Sequence, residues 1–342
     1  MAANFAGVNI NDDSRNDIVV RGNSPTGLLW RLEGVAIPNP NHYSTLGTTG
    51  GPVSALNTNL LKNSDFLTSA FPAEYGNAIS GVFDIGFRSG NKEQYEFTAQ
   101  LAAFSGLEAM AEGPINKQKG SSFLLTYRHA FTELASAACL DFGTAATPRY
   151  KDISFKVDLP KSKLGNLSFF GIGGLSDIDF IGSELSEGDF YAETDQNSYV
   201  TSRVGIIGMN HRALLNETTY IRTTVAASTS SNTYQEDFVL DDLSTRPEVD
   251  LDEGVNRYVV SSFLNKKFSA KHTFRTGVIA ERFQSFSTLL DRETTPDWVT
   301  IRDFDGGMAL LQAYAQSQYR PNGRLTLNGG LHGQFLTFNN SW

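Results

Sequence analysis

The sequence is poor in the residues that carry most chemistry. It has one cysteine, Cys139, so no internal disulfide can form and no thiolate knuckle can hold a metal. Its five histidines (His42, His129, His211, His272 and His332) are scattered, and no H-E-x-x-H pattern occurs. Long apolar runs are missing too. Nothing approaches the roughly 18 residues a membrane helix needs. That leaves a membrane barrel open, because such a wall hides its apolar face in every second residue. Positive charge is scarce: 28 basic against 37 acidic residues give a net charge of -9, which excludes the basic face of a nucleic-acid binder. Gly113 to Ser121 lacks phosphate-loop spacing, and Gly171-Ile172-Gly173-Gly174 opens no helical pattern, so neither common nucleotide fingerprint is present. The first seventeen residues have neither the basic start nor the apolar core of a secretory leader. Export would therefore require a leader ahead of residue 1.

What is present falls into two textures. The first ninety residues are rich in Gly, Pro and Asn, with short apolar runs between turns. Ile18-Val19-Val20 is a β-branched strand ending in Arg21-Gly22, and Asn23 to Gly27 is a turn by composition. Leu28 to Leu32 is a second strand, Glu33-Gly34 a tight turn, and Val35 to Ile37 a third run stopped by Pro38-Asn39-Pro40-Asn41. Pro52 to Asn57 could open a helical turn. Tyr75-Gly76-Asn77 and Ser80-Gly81 frame the strand Val82 to Phe87, which ends at Arg88-Ser89-Gly90-Asn91.

In order and spacing, Arg21-Gly22, Leu32-Glu33-Gly34-Val35, Glu74-Tyr75-Gly76 and Gly81-Val82-Phe83-Asp84-Ile85 resemble the plug motifs of TonB-dependent outer-membrane receptors. Ser14 to Asp17 and Pro38 to His42 resemble the subgroup with a carboxypeptidase-regulatory-like domain ahead of the plug, and Glu112-Gly113-Pro114-Ile115 resembles the family's second barrel strand. Two departures are mild: Glu33 stands where Asp is usual, and Phe87-Arg88 where a Thr-Lys pair is usual. The first half of a plug and the energy-coupling box are absent. The resemblance implies a plug-to-barrel lock drawn from Arg21, Gly22, Glu33, Gly34, Glu74, Tyr75, Gly76, Gly81 and Arg88, with Arg21 as its buried ionic member. Turn geometry alone is the competing reading for the glycines.

From Gln94 onward the period is two. Leu325, Leu327, Gly329, Leu331, Gly333 and Phe335 alternate with Thr326, Asn328, Gly330, His332 and Gln334, the mark of a strand with one apolar face. About eleven such strands are expected, near 94–105, 107–115, 120–129, 150–159, 166–176, 198–211, 216–231, 255–268, 273–288, 306–319 and 325–338. Short Lys/Arg-bearing turns alternate with the long connections 130–149, 177–197, 232–254 and 289–305, two of them acidic. Within one, Asp250, Asp252 and Glu253 offer oxygen ligands without the full calcium-loop spacing. Solvated surface and attraction of a cationic solute are the other readings of these acids. His42, Tyr43 and His332 are candidates for contact with a solute.

A size argument sets the scale. Strands about 4.8 Å apart and tilted near 40° take about 6.3 Å each of the circumference, so eleven would close at a radius of about 11 Å. A compact ninety-residue plug has a radius of gyration of about 12 Å and does not fit; about 22 strands would hold it. The expected fold is therefore mostly β: the C-terminal part of a small α/β plug domain (1–91), then about half of a 22-stranded antiparallel transmembrane β-barrel (92–342). An open half-sheet is not viable in lipid, so a chain truncated at both ends is expected.

By this resemblance the protein imports a scarce or bulky solute (a metal chelate, cobalamin, a glycan or a peptide) across the outer membrane. It would be driven by the TonB–ExbB–ExbD complex and embedded in outer-membrane lipid, with a surface lipoprotein as a further candidate partner. No cofactor and no nucleic acid enter this reading. A passive surface receptor and a soluble β-rich binding domain are the alternatives. An enzyme is not expected: the one neighbourhood to test, His129 with Ser136 and Asp141, belongs to a barrel hydrolase for which no other sign exists.

Overall fold

The computed structural model describes residues 7–12, 15–44, 48, 50–102, 106–131, 147–162, 165–182, 195–293 and 295–337. The wall is built from β9 (Glu96–Ala102), β10 (Gly106–Asn116), β11 (Ser121–Phe131), β12 (Thr147–Ser162), β13 (Gly165–Ile181) and β14 (Gln196–Asn216). It continues with β15 (Thr219–Val239), β16 (Thr245–Ser269), β17 (His272–Asp291), β18 (Val299–Asn322) and β19 (Leu325–Leu336). These hydrogen-bond in sequence order into one antiparallel sheet of eleven strands. They agree in number and order with the segments expected from the alternation.

They differ in length. The stretches 232–254 and 289–305, expected as long loops, are mostly strand. β15 runs to Val239 and β16 resumes at Thr245, while β17 reaches Asp291 and β18 starts at Val299. Polar residues alternate as readily as apolar ones once both faces are wet, so the ladder persists through pairs such as Asn232↔Glu253 and Gln235↔Asp250. The strands reverse over Leu240 to Ser244, where Leu243 has φ 64°. Asp250, Asp252 and Glu253 thus stand on β16, not in a loop. Successive side chains alternate faces, so Glu253 points inward and pairs with Arg302 at 3.2 Å, while Asp250 and Asp252 lie on the opposite face.

The earlier residues form smaller units. β1 (Val8–Asp12) pairs with β2 (Arg15–Val20), and β5 (Asn41–His42) with β6 (Val53–Ser54). A four-stranded sheet has the order β4-β3-β8-β7, from β3 (Leu28–Leu32), β4 (Val35–Ala36), β7 (Asp65–Leu67) and β8 (Gly81–Ile85). Its centre is parallel, Leu28↔Gly81 to Leu32↔Ile85. Helix in this part is limited, among the described residues, to 3-10 turns at Pro25–Gly27 and Thr58–Leu60. The helical turn expected from Pro52 falls later, where the Asn57 side chain accepts from Asn59 N at 2.9 Å.

Plug and wall share one apolar core. Leu32, Val35, Ile37, Leu56, Leu60, Ile85 and Phe87 pack with Leu124, Phe170, Ile172, Val204, Ile206, Ala226 and Val259 of the wall. The inner face of the sheet is therefore apolar where the plug rests on it. A second cluster, Val8, Ile18, Val20 and Leu28, sits behind it, against the stacked rings of Trp30, Phe83 and Phe66.

Candidate functional site: the plug–wall interface

Two turns of like geometry show what the paired motifs do locally. Arg21 and Gly22 have φ of 52° and 77°, and Glu33 and Gly34 have 52° and 95°. Two successive positive φ values make the tight reversal whose twist suits a hairpin, and glycine takes the second position at no steric cost. In the first turn Asn23 N donates to Val20 O at 3.0 Å. The Arg21 side chain is exposed and makes no ion pair among the described residues. The ion pairs that join plug to wall among the described residues are made by other side chains.

The second turn is different. Glu33 is 5% exposed and its carboxylate has four partners. Oε1 accepts from Phe87 N and Lys156 Nζ, each at 2.8 Å, and Oε2 from Asn210 Nδ2 at 3.2 Å and an Arg222 guanidinium nitrogen at 3.3 Å. Lys156 Nζ also donates to Phe87 O at 2.8 Å, and Arg222 to Glu33 O at 2.5 Å. One plug turn is thereby tied to β12, β14 and β15. Burial alone would raise the Glu33 carboxyl; the Lys156 ammonium and its hydrogen bond, with Lys62 and Arg222, outweigh it and hold the group below the ordinary carboxylate range.

Three further anchors surround it. Glu74 accepts from Arg275 at 2.5 Å and from Gln316 at 3.1 Å, and lies 3.6 Å from the buried Arg31, which also faces Asp84 at 3.5 Å. Burial opposes ionisation of Glu74, but Arg275 and Arg31 keep its carboxyl low. Tyr75 donates to Asp84 Oδ2 at 2.9 Å, its hydroxyl held protonated by burial and then by Asp84. Arg88 makes a two-pronged pair with Glu112 of β10, both bonds 2.7 Å, and Asn91 N donates to the same carboxylate at 2.8 Å. The fourth anchor is buried most deeply. His42 Nε2 lies 3.0 Å from Asp152 Oδ2, which also accepts from Arg128 at 2.6 Å; Arg128 in turn donates to Ser54 O at 2.6 Å. Pairs of this kind add little net stability, but removing one partner strands a buried charge.

No family model matches the sequence, and no curated protein matches it. Solved structures do match its shape. The chain superimposes on the outer membrane transporter YddB from Escherichia coli with TM-score 0.62, over 95% of this chain and 51% of that one, at 13% identity. On the pyoverdine outer membrane receptor FpvA from Pseudomonas aeruginosa PAO1 the TM-score is 0.69, over 97% and 53%, at 9% identity. The siderophore receptor PirA from Pseudomonas aeruginosa gives 0.56, over 97% and 51%, at 16% identity. The fold is that of the TonB-dependent outer-membrane receptors. The chain spans about half the length of the receptor structures it matches.

On this receptor fold the remaining expected residues are placed as follows. His332 faces inward, and its Nδ1 donates to Ala73 O at 2.7 Å, so it is a plug contact. A Cβ on Gly76 would come within 2.4 Å of Gln312 Oε1 and 2.6 Å of the His332 ring, so a larger residue there would have to displace the ends of those side chains. Gly81 packs within reach of Leu28. Tyr43 N donates to Ser176 Oγ at 3.1 Å, which places His42 and Tyr43 together on β12 and β13. Among the described residues no group of three His, Cys, Asp or Glu is placed to hold a metal. His129 lies on the outer face, and Ser136 and Asp141, like Cys139, are outside the described residues. The wall-side partners Lys156, Arg222, Arg275, Asp152 and Arg128 were missed from sequence. Each reads there as one more polar residue in an alternating strand.

Proposed function

We propose that the chain is the plug and adjoining wall of an outer-membrane importer, divided near Asn91. In this reading the plug occludes the lumen until the TonB–ExbB–ExbD complex pulls it, and the apolar outer face of the sheet sits in outer-membrane lipid. The observation that carries the reading is the set of buried carboxylates, Glu33 above all, that join the plug to three strands of the wall. Such contacts hold a plug firmly while remaining exchangeable with water, as an apolar seal alone is not. The relatives in shape are a siderophore receptor, a pyoverdine receptor and a copper transporter, which supports a scarce solute without naming it.

The test uses the full-length receptor as the sole copy in its host, given limiting labelled ferric chelates, cobalamin, oligosaccharides and oligopeptides. Accumulation of one of these should require both the receptor and an intact energy-coupling complex. Accumulation that persists without the complex would reduce the protein to a passive pore, and binding without accumulation to a surface receptor.

A further inference from the structure

The outer face of the wall is not uniformly ridged. Between β12 and β16 a shallow apolar trough of about 400 Å³ runs across the sheet, with Gly173 and Gly205 as its floor and Ile153, Phe155, Ile207 and Tyr258 as its sides. The register explains it: Ile153 pairs with Gly173, Gly173 with Gly205 and Gly205 with Thr229, so two adjacent outward positions have no side chain. One step up the same face, Lys151, Leu175, Arg203 and Ser231 stand in line. Lys151 and Arg203 are exposed, and neither makes an ion pair or hydrogen bond among the described residues. The next outward row holds Arg149, Asp177 and Thr201, with Arg149 already paired to Asp179 at 2.5 Å and Asp177 accepting from Thr201 at 3.0 Å.

Height on the wall decides what meets this surface. Gly205 lies eleven residues above the end of β14 at Asn216. At about 3.3 Å per residue and a tilt near 40°, that is about 28 Å above the short turns, close to the top of an apolar band about 25 Å tall. The trough is thus at the rim of the band on the side away from the short turns, with two unpaired cations directly above it. An acyl chain fills an apolar slot, and a negative headgroup meets Lys151 and Arg203.

We infer that this trough is a specific site for an anionic lipid of the outer leaflet, one acyl chain lying over Gly173 and Gly205 and its phosphate between Lys151 and Arg203. The inference rests on the membrane placement proposed above. Lipid with an uncharged head fills the slot but offers the cations nothing, and a zwitterionic head offsets its phosphate with its own ammonium, so either answers Lys151 and Arg203 more weakly than a net-anionic head. The site is accordingly selective by headgroup, not by chain.

The test is native mass spectrometry of the full-length receptor in detergent, titrated with phosphatidylglycerol or phosphatidylcholine of the same chain length. Phosphatidylglycerol should be retained about tenfold more, and Lys151→Ser with Arg203→Ser should abolish the preference while leaving weak, equal binding of both. Gly173→Leu should lower retention of both lipids; a Cβ there meets only Ile153 at 3.4 Å, so the wall accommodates it. Equal retention of the two lipids, or a preference that survives loss of both cations, overturns the site. Fractionation separates this from failure of the wider reading: a receptor absent from detergent-extracted outer membrane removes both, and one present there without headgroup preference removes only this one.

Discussion

Glu33 concentrates the physics of the interface in one residue. Its partners lie 54 to 189 positions away in the chain, those on the wall 123 or more. Removing the carboxylate leaves the Lys156 ammonium, 8% exposed, with Phe87 O and only the more distant Asp158 carboxylate, at 4.0 Å. Breaking one side of a buried pair costs about 3–5 kcal/mol, whereas replacing both sides by apolar groups is often neutral. Glu33→Ala in the full-length receptor should therefore raise ion leak through planar bilayers at least tenfold. Glu33→Ala with Lys156→Met should recover much of the seal. A double variant as leaky as the single one would mean that packing, not this pair, holds the turn. The turn motif around Glu33 was legible in the sequence, since Leu-Glu-Gly-Val marks a tight reversal between two apolar runs. Its partners were not, because nothing local distinguishes Lys156 or Arg222 from other inward polar side chains. Arg21 shows the reverse case: a motif of the same form whose side chain the fold leaves exposed.

At the level of single elements the strands divide by what lies on each face. Where lipid is expected outside, alternation is strict and the sequence reads correctly, as on β19. Leu325, Leu327 and Leu331 are 45%, 52% and 82% exposed, while His332 turns inward to Ala73. Where the plug presses on the wall, alternation fails: Ile206 is buried in the shared core and Ile207 faces outward, so the strand is apolar on both sides. Beyond the band polar residues stand on both faces among scattered apolar ones, and from sequence the long outer ends of β15 and β16 are expected as loops. Spin labels on the full-length receptor in vesicles separate these cases. Labels at positions 325, 327 and 331 should be quenched by lipid-soluble relaxants, and those at 326 and 328 should not. Equal quenching on both faces would remove β19 from a membrane wall.

On the scale of the whole molecule, the shared core and the four polar anchors act on one contact surface, so the plug should leave the wall as a unit or not at all. One place allows a covalent test. A Cβ on Gly174 would lie 3.5 Å from the Cβ of Ala55, within the span a disulfide bridges. The neighbours it crowds, Val204 Cγ1 at 2.9 Å and His42 Cε1 at 3.0 Å, are side chains. Replacing both residues, Ala55→Cys with Gly174→Cys, would staple the plug near its most deeply buried anchor. In the unstapled receptor moderate urea should loosen the plug before the wall, because an antiparallel ladder eleven strands wide outlasts an interface of side-chain contacts. Bilayer conductance should therefore rise with urea in the parent, stay low in the oxidised double variant, and rise again on adding reductant. If urea opens the oxidised variant as readily as the parent, the conducting path does not need this face of the plug to move. The occlusion would then lie on the other side of the lumen.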